Sequence, residues 1–281
     1  MSGTVFAAML ASALLHASWN AWVKSRHDPY GGLIALGVGA IWPNLLLLAW
    51  FGLPERAPWG WLALTIALSV PAQALLGRAY REGDFAVAYP VVRGLNPVVI
   101  AVASVFVYGE RLSPVGALGV ASVSAGIALL GWEALRRSRT ATARGLAFAA
   151  LSALATAAGA LTDSLGARAA NDPMSYGPLI GIGNGVAMAA YQAPRVAVAR
   201  TLAEHWPLAL LAPVLSTASY QLMLWSIAQA PVAFVISLRE TSLLFALAIG
   251  ALLLGERVGA WRWLAVGVVA AGVVAIRVAS A

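Results

Sequence analysis

Ten stretches of about twenty apolar residues fill this chain, near residues 4–23, 32–53, 60–79, 85–107, 114–132, 145–165, 175–193, 207–227, 232–254 and 261–278. A helix needs about 20 mostly apolar residues to cross the roughly 30 Å hydrocarbon layer of a bilayer. In lipid, only helices and closed barrels satisfy every backbone hydrogen bond. The runs are continuous rather than alternating, so they predict helices, and the connections leave no room for a separate soluble domain. At 61% hydrophobic and 10% charged residues, against about 45–50% and 25% in soluble domains, the composition points away from water.

The two stretches around Arg93 and Arg239 look alike. Arg93, Gly109, Glu110 and Arg111 map onto Arg239, Gly255, Glu256 and Arg257 at a constant offset of 146 residues, and Gly126 maps onto Gly272 without a gap. Apolar segments match easily by chance, so the charged and glycine identities carry the weight. They divide the chain into residues 1–132 and 145–281, joined by a basic linker over 133–144 that holds Arg136, Arg137, Arg139 and Arg144. Five spans per copy is an odd number, so the second copy enters the membrane from the opposite side. The fold expected is therefore an all-α membrane protein, ten transmembrane helices in two inverted five-helix repeats around a central cavity. That architecture is common among secondary transporters.

Orientation follows from Lys and Arg in the short loops, which accumulate on the cytoplasmic side. Lys24, Arg26, Arg78, Arg81, Arg136, Arg137, Arg139, Arg144, Arg195, Arg200, Arg257 and Arg262 fall after odd-numbered spans; Arg56, Arg111, Arg168 and Arg277 fall on the other side. The linker is then cytoplasmic and both termini are outside, in a multi-pass protein of the inner (plasma) membrane. No Lys or Arg precedes the first run, unlike a cleaved signal peptide.

Several classes drop out on composition. Without cysteine there are no disulfides or thiolate metal sites. The net charge of +7 is spread between apolar segments with no stacking aromatics, so no nucleic-acid partner is expected. His16, His27 and His205 are scattered, which argues against an enzyme, a metal site or a cofactor. The expected partners are a small-molecule substrate and the lipid bilayer, with the chain a monomer or weak dimer.

Polar groups inside apolar runs are costly and default to function. By the 1.5 Å rise per residue, Arg93 and Arg239 lie toward opposite membrane faces, one at each mouth of the cavity; snorkelling to the interface is the alternative. Glu240 needs a partner on another span, because adjacent helical residues point apart. His16, Trp19 and Asn20 share a face, suited to gripping an amino or carboxylate group or to joining helices by hydrogen bonds. Thr156 and Asp163 share a face in span 6, with Asp163 alternatively reaching the outer interface. Span 3 adds Gln73 and Tyr80. Span 8 adds Tyr220 and the stripe Thr217, Gln221 and Trp225. Span 4 adds Tyr89 and Asn96, and Pro90 with Pro97 predicts a kinked or partly broken helix there. Gly181-Ile-Gly183-Asn184-Gly185 reads as close helix packing, as does the small-residue pair Gly267 and Ala271. Gly-Glu-Arg reads as a helix stop with a capping glycine.

Ten spans, a five-plus-five inverted repeat and Gly-Glu-Arg-Leu or Gly-Glu-Arg-Val after spans 4 and 9 resemble the EamA-type branch of the drug/metabolite transporter superfamily over the whole chain. The resemblance implies alternating-access export of small metabolites, amino acids foremost, and the YddG-like aromatic amino acid exporters are one branch of it. Trp19, Tyr80, Tyr89, Tyr220 and Trp225 suit an aromatic substrate. Drug, nucleoside or sugar permeation, or a passive channel, are the alternatives. Family members are often drawn with cytoplasmic termini, whereas the loop charges here favour the reverse.

Overall fold

The computed structural model describes residues 1–56, 58–82, 85–138, 140–170, 172–253 and 259–280. Residues 255–257, the second Gly-Glu-Arg, and Arg139 lie outside them. Among the described residues the secondary structure is helical throughout: α1 (Gly3–Lys24), α2 (Pro29–Gly39), α3 (Ile41–Phe51), α4 (Trp59–Glu82), α5 (Phe85–Tyr108), α6 (Pro114–Arg137), α7 (Ala143–Ala169), α8 (Pro173–Gln192), α9 (Val198–Glu204), α10 (Trp206–Ile227), α11 (Val232–Arg239), α12 (Ser242–Leu253) and α13 (Ala260–Ala279).

Local chemistry sets the helix ends. Ser2, Asp28, Ser113, Thr142 and Asp172 cap α1, α2, α6, α7 and α8 by accepting a backbone N–H of the first turn, which satisfies a donor with no intrahelical partner. Proline follows the cap in α2, α6 and α8, where its missing N–H costs nothing. Gly109 ends α5 with φ of +65°, a left-handed conformation glycine adopts without penalty. The helices reach into the expected linker: α6 runs to Arg137, fastened by the Glu133–Arg137 pair at 2.8 Å, and α7 starts at Ala143.

Among the described residues, eight helical segments are long and apolar enough to cross a membrane, with α2 and α3 forming one and α11 and α12 another. Helices α1 and α8 are as long, at 22 and 20 residues, but carry His16, Asn20, Asn184 and Gln192. The outer surface is apolar: Phe106 is 83% and Leu118 65% exposed. A water-facing monomer does not display apolar side chains on that scale.

Breaks fall where a backbone bond is missing or replaced. Pro43 cannot donate to Gly39, and the Asn44 side chain donates to the Ala40 carbonyl at 2.7 Å instead, which separates α2 from α3. Between α11 and α12 the chain takes short three-residue bonds, Glu240 to Ser237 at 3.1 Å and Leu243 to Glu240 at 3.0 Å. Of the kink or partial break expected in span 4, the break does not occur: α5 is helical through Pro90 and Pro97.

The tightest seam joins α6 to α13. A Cβ on Gly119 would lie 2.9 Å from the Gly272 carbonyl, and one on Gly272 would lie 2.7 Å from that of Gly119, so only glycine lets these backbones meet. Gly267 faces open space instead; the seam runs through Gly272, not the expected Gly267 and Ala271. Hydroxyls fasten two further seams. Ser12 of α1 donates to the Ser219 carbonyl of α10 at 2.7 Å, and Ser219 donates back to that of Ser12 at 2.8 Å. Ser152 of α7 donates to the Ala72 carbonyl of α4 at 2.9 Å. Ser12 and Ser152 are each the tenth residue of their helices, and Ser219 and Ala72 each the fourteenth of theirs.

Candidate functional site

A cavity of about 240 Å³ lies among α4, α5, α7, α8, α10 and α11. Its polar lining is Thr65, Ser69, Gln73, Arg93, Asn96, Thr156, Asp163, Asn184, Tyr220, Arg239 and Glu240. Sequence separations vanish here: Arg93, Asp163 and Arg239, 163 − 93 = 70 and 239 − 163 = 76 residues apart, converge on one cavity from α5, α7 and α11.

Four of the lining helices, α4, α5, α7 and α10, are more exposed toward one end. Gln73 of α4 and Thr156 of α7 are exposed while Thr65 and Asp163 are buried; Arg93 of α5 and Tyr220 of α10 are half-buried while Asn96 and Met223 are buried. The mouth therefore lies where α4 ends and α5, α7 and α10 begin. The opposite end is sealed. Tyr108 donates to the Leu161 carbonyl at 3.0 Å and meets the Ser164 hydroxyl. Arg168 lies 4.4 Å from the Tyr108 ring centroid, pairs with Glu110 at 3.1 Å and donates to the Ile227 carbonyl at 3.3 Å. Both Glu110 oxygens accept the Val232 N–H, at 3.2 Å each, which caps α11 and ties it to the end of α5. Glu110 of the first Gly-Glu-Arg thus joins the floor rather than only ending a helix.

The arginines do not guard opposite mouths. Both line this one cavity. Arg93 Nε stands 3.0 Å from Glu240 Oε2, and its Nη2 donates to Ser242 at 2.8 Å, so Arg93 of α5 straps the α11–α12 break. A buried carboxylate is tolerable with a cation beside it, and Arg93 is the partner Glu240 requires. Arg239 contacts softer groups, Met223 Sδ at 2.9 Å and His16 Nδ1 at 3.4 Å.

The other expected residues distribute as follows. His16 stacks edge-on to Trp19 at 4.8 Å and reaches the site only through Arg239; α1 supplies no lining residue. Asn20 donates to Tyr89 Oη at 3.0 Å, and Arg93 lies 5.8 Å from that ring, so the pair sits behind Arg93 near the mouth. Asp163 is buried and accepts from Tyr220 at 2.5 Å, inside the cavity rather than at the outer interface. Tyr80 packs on the cluster of Ala79, Ala88, Val92, Ala149 and Ala153, and Trp225 on the main core. Thr217 accepts from Asn44 at 3.0 Å, and Gln221 presses on Gly177 of α8. The Thr217, Gln221 and Trp225 stripe therefore faces helix packing, and its neighbours Tyr220 and Met223 face the cavity. Asn184 enters the lining from a glycine run read as packing alone; an amide inside an apolar helix was the signal. The glycines around it do pack closely, Gly181 on Asn44 and Gly185 on Ile41.

Comparison with known proteins adds a likeness over the second half of the chain. Residues 143–278 match the EamA-like transporter family. Over that segment, which is just under half of the chain, the sequence is similar to EamA-like transporters. A solved structure titled "Crystal structure of protein" superposes with a TM-score of 0.76 at 16% identity, covering 99% of each chain; at that identity the likeness is one of fold. No curated protein matches the chain.

Proposed function

We propose that this EamA-like chain is an alternating-access carrier that exports small metabolites from the cytoplasm, with amino acids as the substrate class. The observation that carries the reading is the cavity itself: polar groups converge in it, open to one side and sealed on the other by the Arg168–Glu110 pair and its hydrogen bonds. That arrangement suits one state of a carrier.

The inverted repeat finds support in the seams. With α1 and α8 counted, ten spans form two sets of five, in which α1 corresponds to α7 and α4 to α10. Packing of α1 on α10 is then repeated by α7 on α4, of α5 on α7 by α12 on α1, and of α2 on α10 by α8 on α4. The matching serines at helix position ten, each donating to the carbonyl of position fourteen on its partner helix, fit the same exchange. The mouth shares its side with Arg78, Arg81, Arg137 and Arg144, the arginine-rich side, which is cytoplasmic by charge. The cavity then faces inward in this state, in the inner membrane, with both termini outside.

Counterflow in proteoliposomes tests the proposal. A carrier loaded with L-phenylalanine accelerates entry of labelled L-phenylalanine; a channel does not. Arg239→Gln is expected to abolish that exchange while the protein still elutes as a folded species. Absence of trans-stimulation for every amino acid, with stimulation by a nucleoside or sugar, would overturn the substrate class.

A further inference from the structure

Charge accounting in the cavity leaves two poles. Arg93 and Glu240 neutralise each other at 3.0 Å. Arg239 and Asp163 remain, and neither forms an ion pair among the described residues. The four formal charges cancel, so the site as a whole favours neither a net anion nor a net cation. What it offers is a separated positive and negative group within one enclosure.

Both poles hold unused hydrogen-bonding capacity. Arg239 Nε is buried without a partner, and its terminal nitrogens meet only a thioether and an imidazole nitrogen. Asp163 is 8% exposed; its Oδ2 accepts from Tyr220, while its Oδ1 is buried without a partner. The neighbouring Thr65 hydroxyl is shared with Thr162 at 2.8 Å, and Thr162 meets the Gly159 carbonyl at 2.8 Å. The amide oxygens of Asn96 and Asn184, both on the cavity, also lack donors. Buried groups left in this condition are costly unless something fills them. The missing complement is one anionic acceptor near Arg239 and a multiple N–H donor near Asp163, Asn96 and Asn184. An ammonium carries three donors and a carboxylate only acceptors.

We propose that the cavity binds an α-amino acid as its zwitterion, the carboxylate on Arg239 and the ammonium on Asp163 with the amides of Asn96 and Asn184 around it, the side chain lying toward Tyr220 and Met223. This rests on the carrier reading and adds to it the pole that each end of the substrate occupies. A consequence is that loss of either charge from the solute strands one buried protein charge, so the decarboxylated amine and the deaminated acid are both rejected.

The test is counterflow in phosphatidylethanolamine/phosphatidylglycerol vesicles with four probes: L-phenylalanine, phenethylamine, 3-phenylpropionate and uridine. The native protein is expected to exchange L-phenylalanine about 10- to 100-fold better than the amine or the acid, the loss that follows from one stranded charged hydrogen-bonding group. Asp163→Asn should depress L-phenylalanine and narrow the gap to 3-phenylpropionate; Arg239→Gln should depress it and narrow the gap to phenethylamine. Asp163→Glu and Arg239→Lys, which keep the charges, should restore part of the exchange and show that the losses are not misfolding. Equal loss of every probe in both neutral variants, without rescue, would overturn the assignment of poles. Exchange of uridine in preference to L-phenylalanine would overturn it while leaving the carrier standing, and exchange of none of the four would bring down both.

Discussion

Helix α5 and the α11–α12 pair carry Arg93 and Arg239 at the shared 146-residue offset, and they differ where a repeat would make them agree. The first contains Pro90 and Pro97 yet is continuous over 24 residues; the second contains no proline within its helices and breaks at Glu240 and Thr241. At the shared offset, Glu240 stands where α5 has Gly94, and Ser242 where it has Asn96. The break sits at the buried charge. Thr241 donates to the Leu238 carbonyl at 2.7 Å, and Arg93 of α5 holds Glu240 and Ser242. A missing N–H inside a helix is absorbed by packing, whereas a carboxylate in a membrane must meet its cation, and the backbone turns to let it. The two arginines diverge in the same way: Arg93 is spent on structure, and Arg239 is left with capacity for a ligand.

That contrast is most directly broken at Glu240. Glu240→Ala leaves Arg93 as an uncompensated buried charge and is expected to lower stability by about 3–5 kcal/mol, read as a large fall in melting temperature in detergent. The double change Arg93→Met with Glu240→Leu should recover most of it, since an apolar pair of similar volume can replace a buried ion pair. Recovery absent from the double variant would mean that the pair is more than mutual compensation. The serine seams sharpen the comparison further. Ser12→Ala and Ser152→Ala, at equivalent helix positions, should each cost about 0.6 kcal/mol, the usual scale for interhelical hydrogen bonds in membranes. Ser219→Ala should cost a similar amount with no counterpart in α4, where position fourteen is Ala72. Unequal costs for Ser12 and Ser152 would weaken the equivalence of the seams.

The smallest effect lies outside the apolar spans. Asp28 caps α2 and faces His205 at 3.3 Å. The Gly31 N–H at its carboxylate holds Asp28 below its ordinary value of 3.8, with His205 a lesser cause. A lowered carboxylate contributes stability above its unfolded value, and that contribution is lost as pH falls through the folded one. Asp28→Asn should therefore lower stability at neutral pH by only about 0.3 kcal/mol, because the group is largely exposed. The difference from the native protein should vanish in melting curves taken well below pH 3.8. A gap that persists in acid would point to lost capping geometry instead.

The sequence by itself determined the membrane-crossing helices, because apolar length is a one-dimensional property, and it marked their ends through Ser, Thr, Asp, Pro and Gly at the caps. It also singled out Arg93, Asp163, Arg239 and Glu240, since charge inside an apolar run is visible without coordinates. Which of them met was decided by tertiary structure. Depth along a helix is readable from residue counts, but rotation about its axis and the tilt of its neighbours are not. A rise of 1.5 Å per residue put the two arginines at opposite mouths; packing brought both side chains into one cavity. The same limit turned the Thr217 stripe toward α3 and α8 and set Tyr220, one position away, against Asp163.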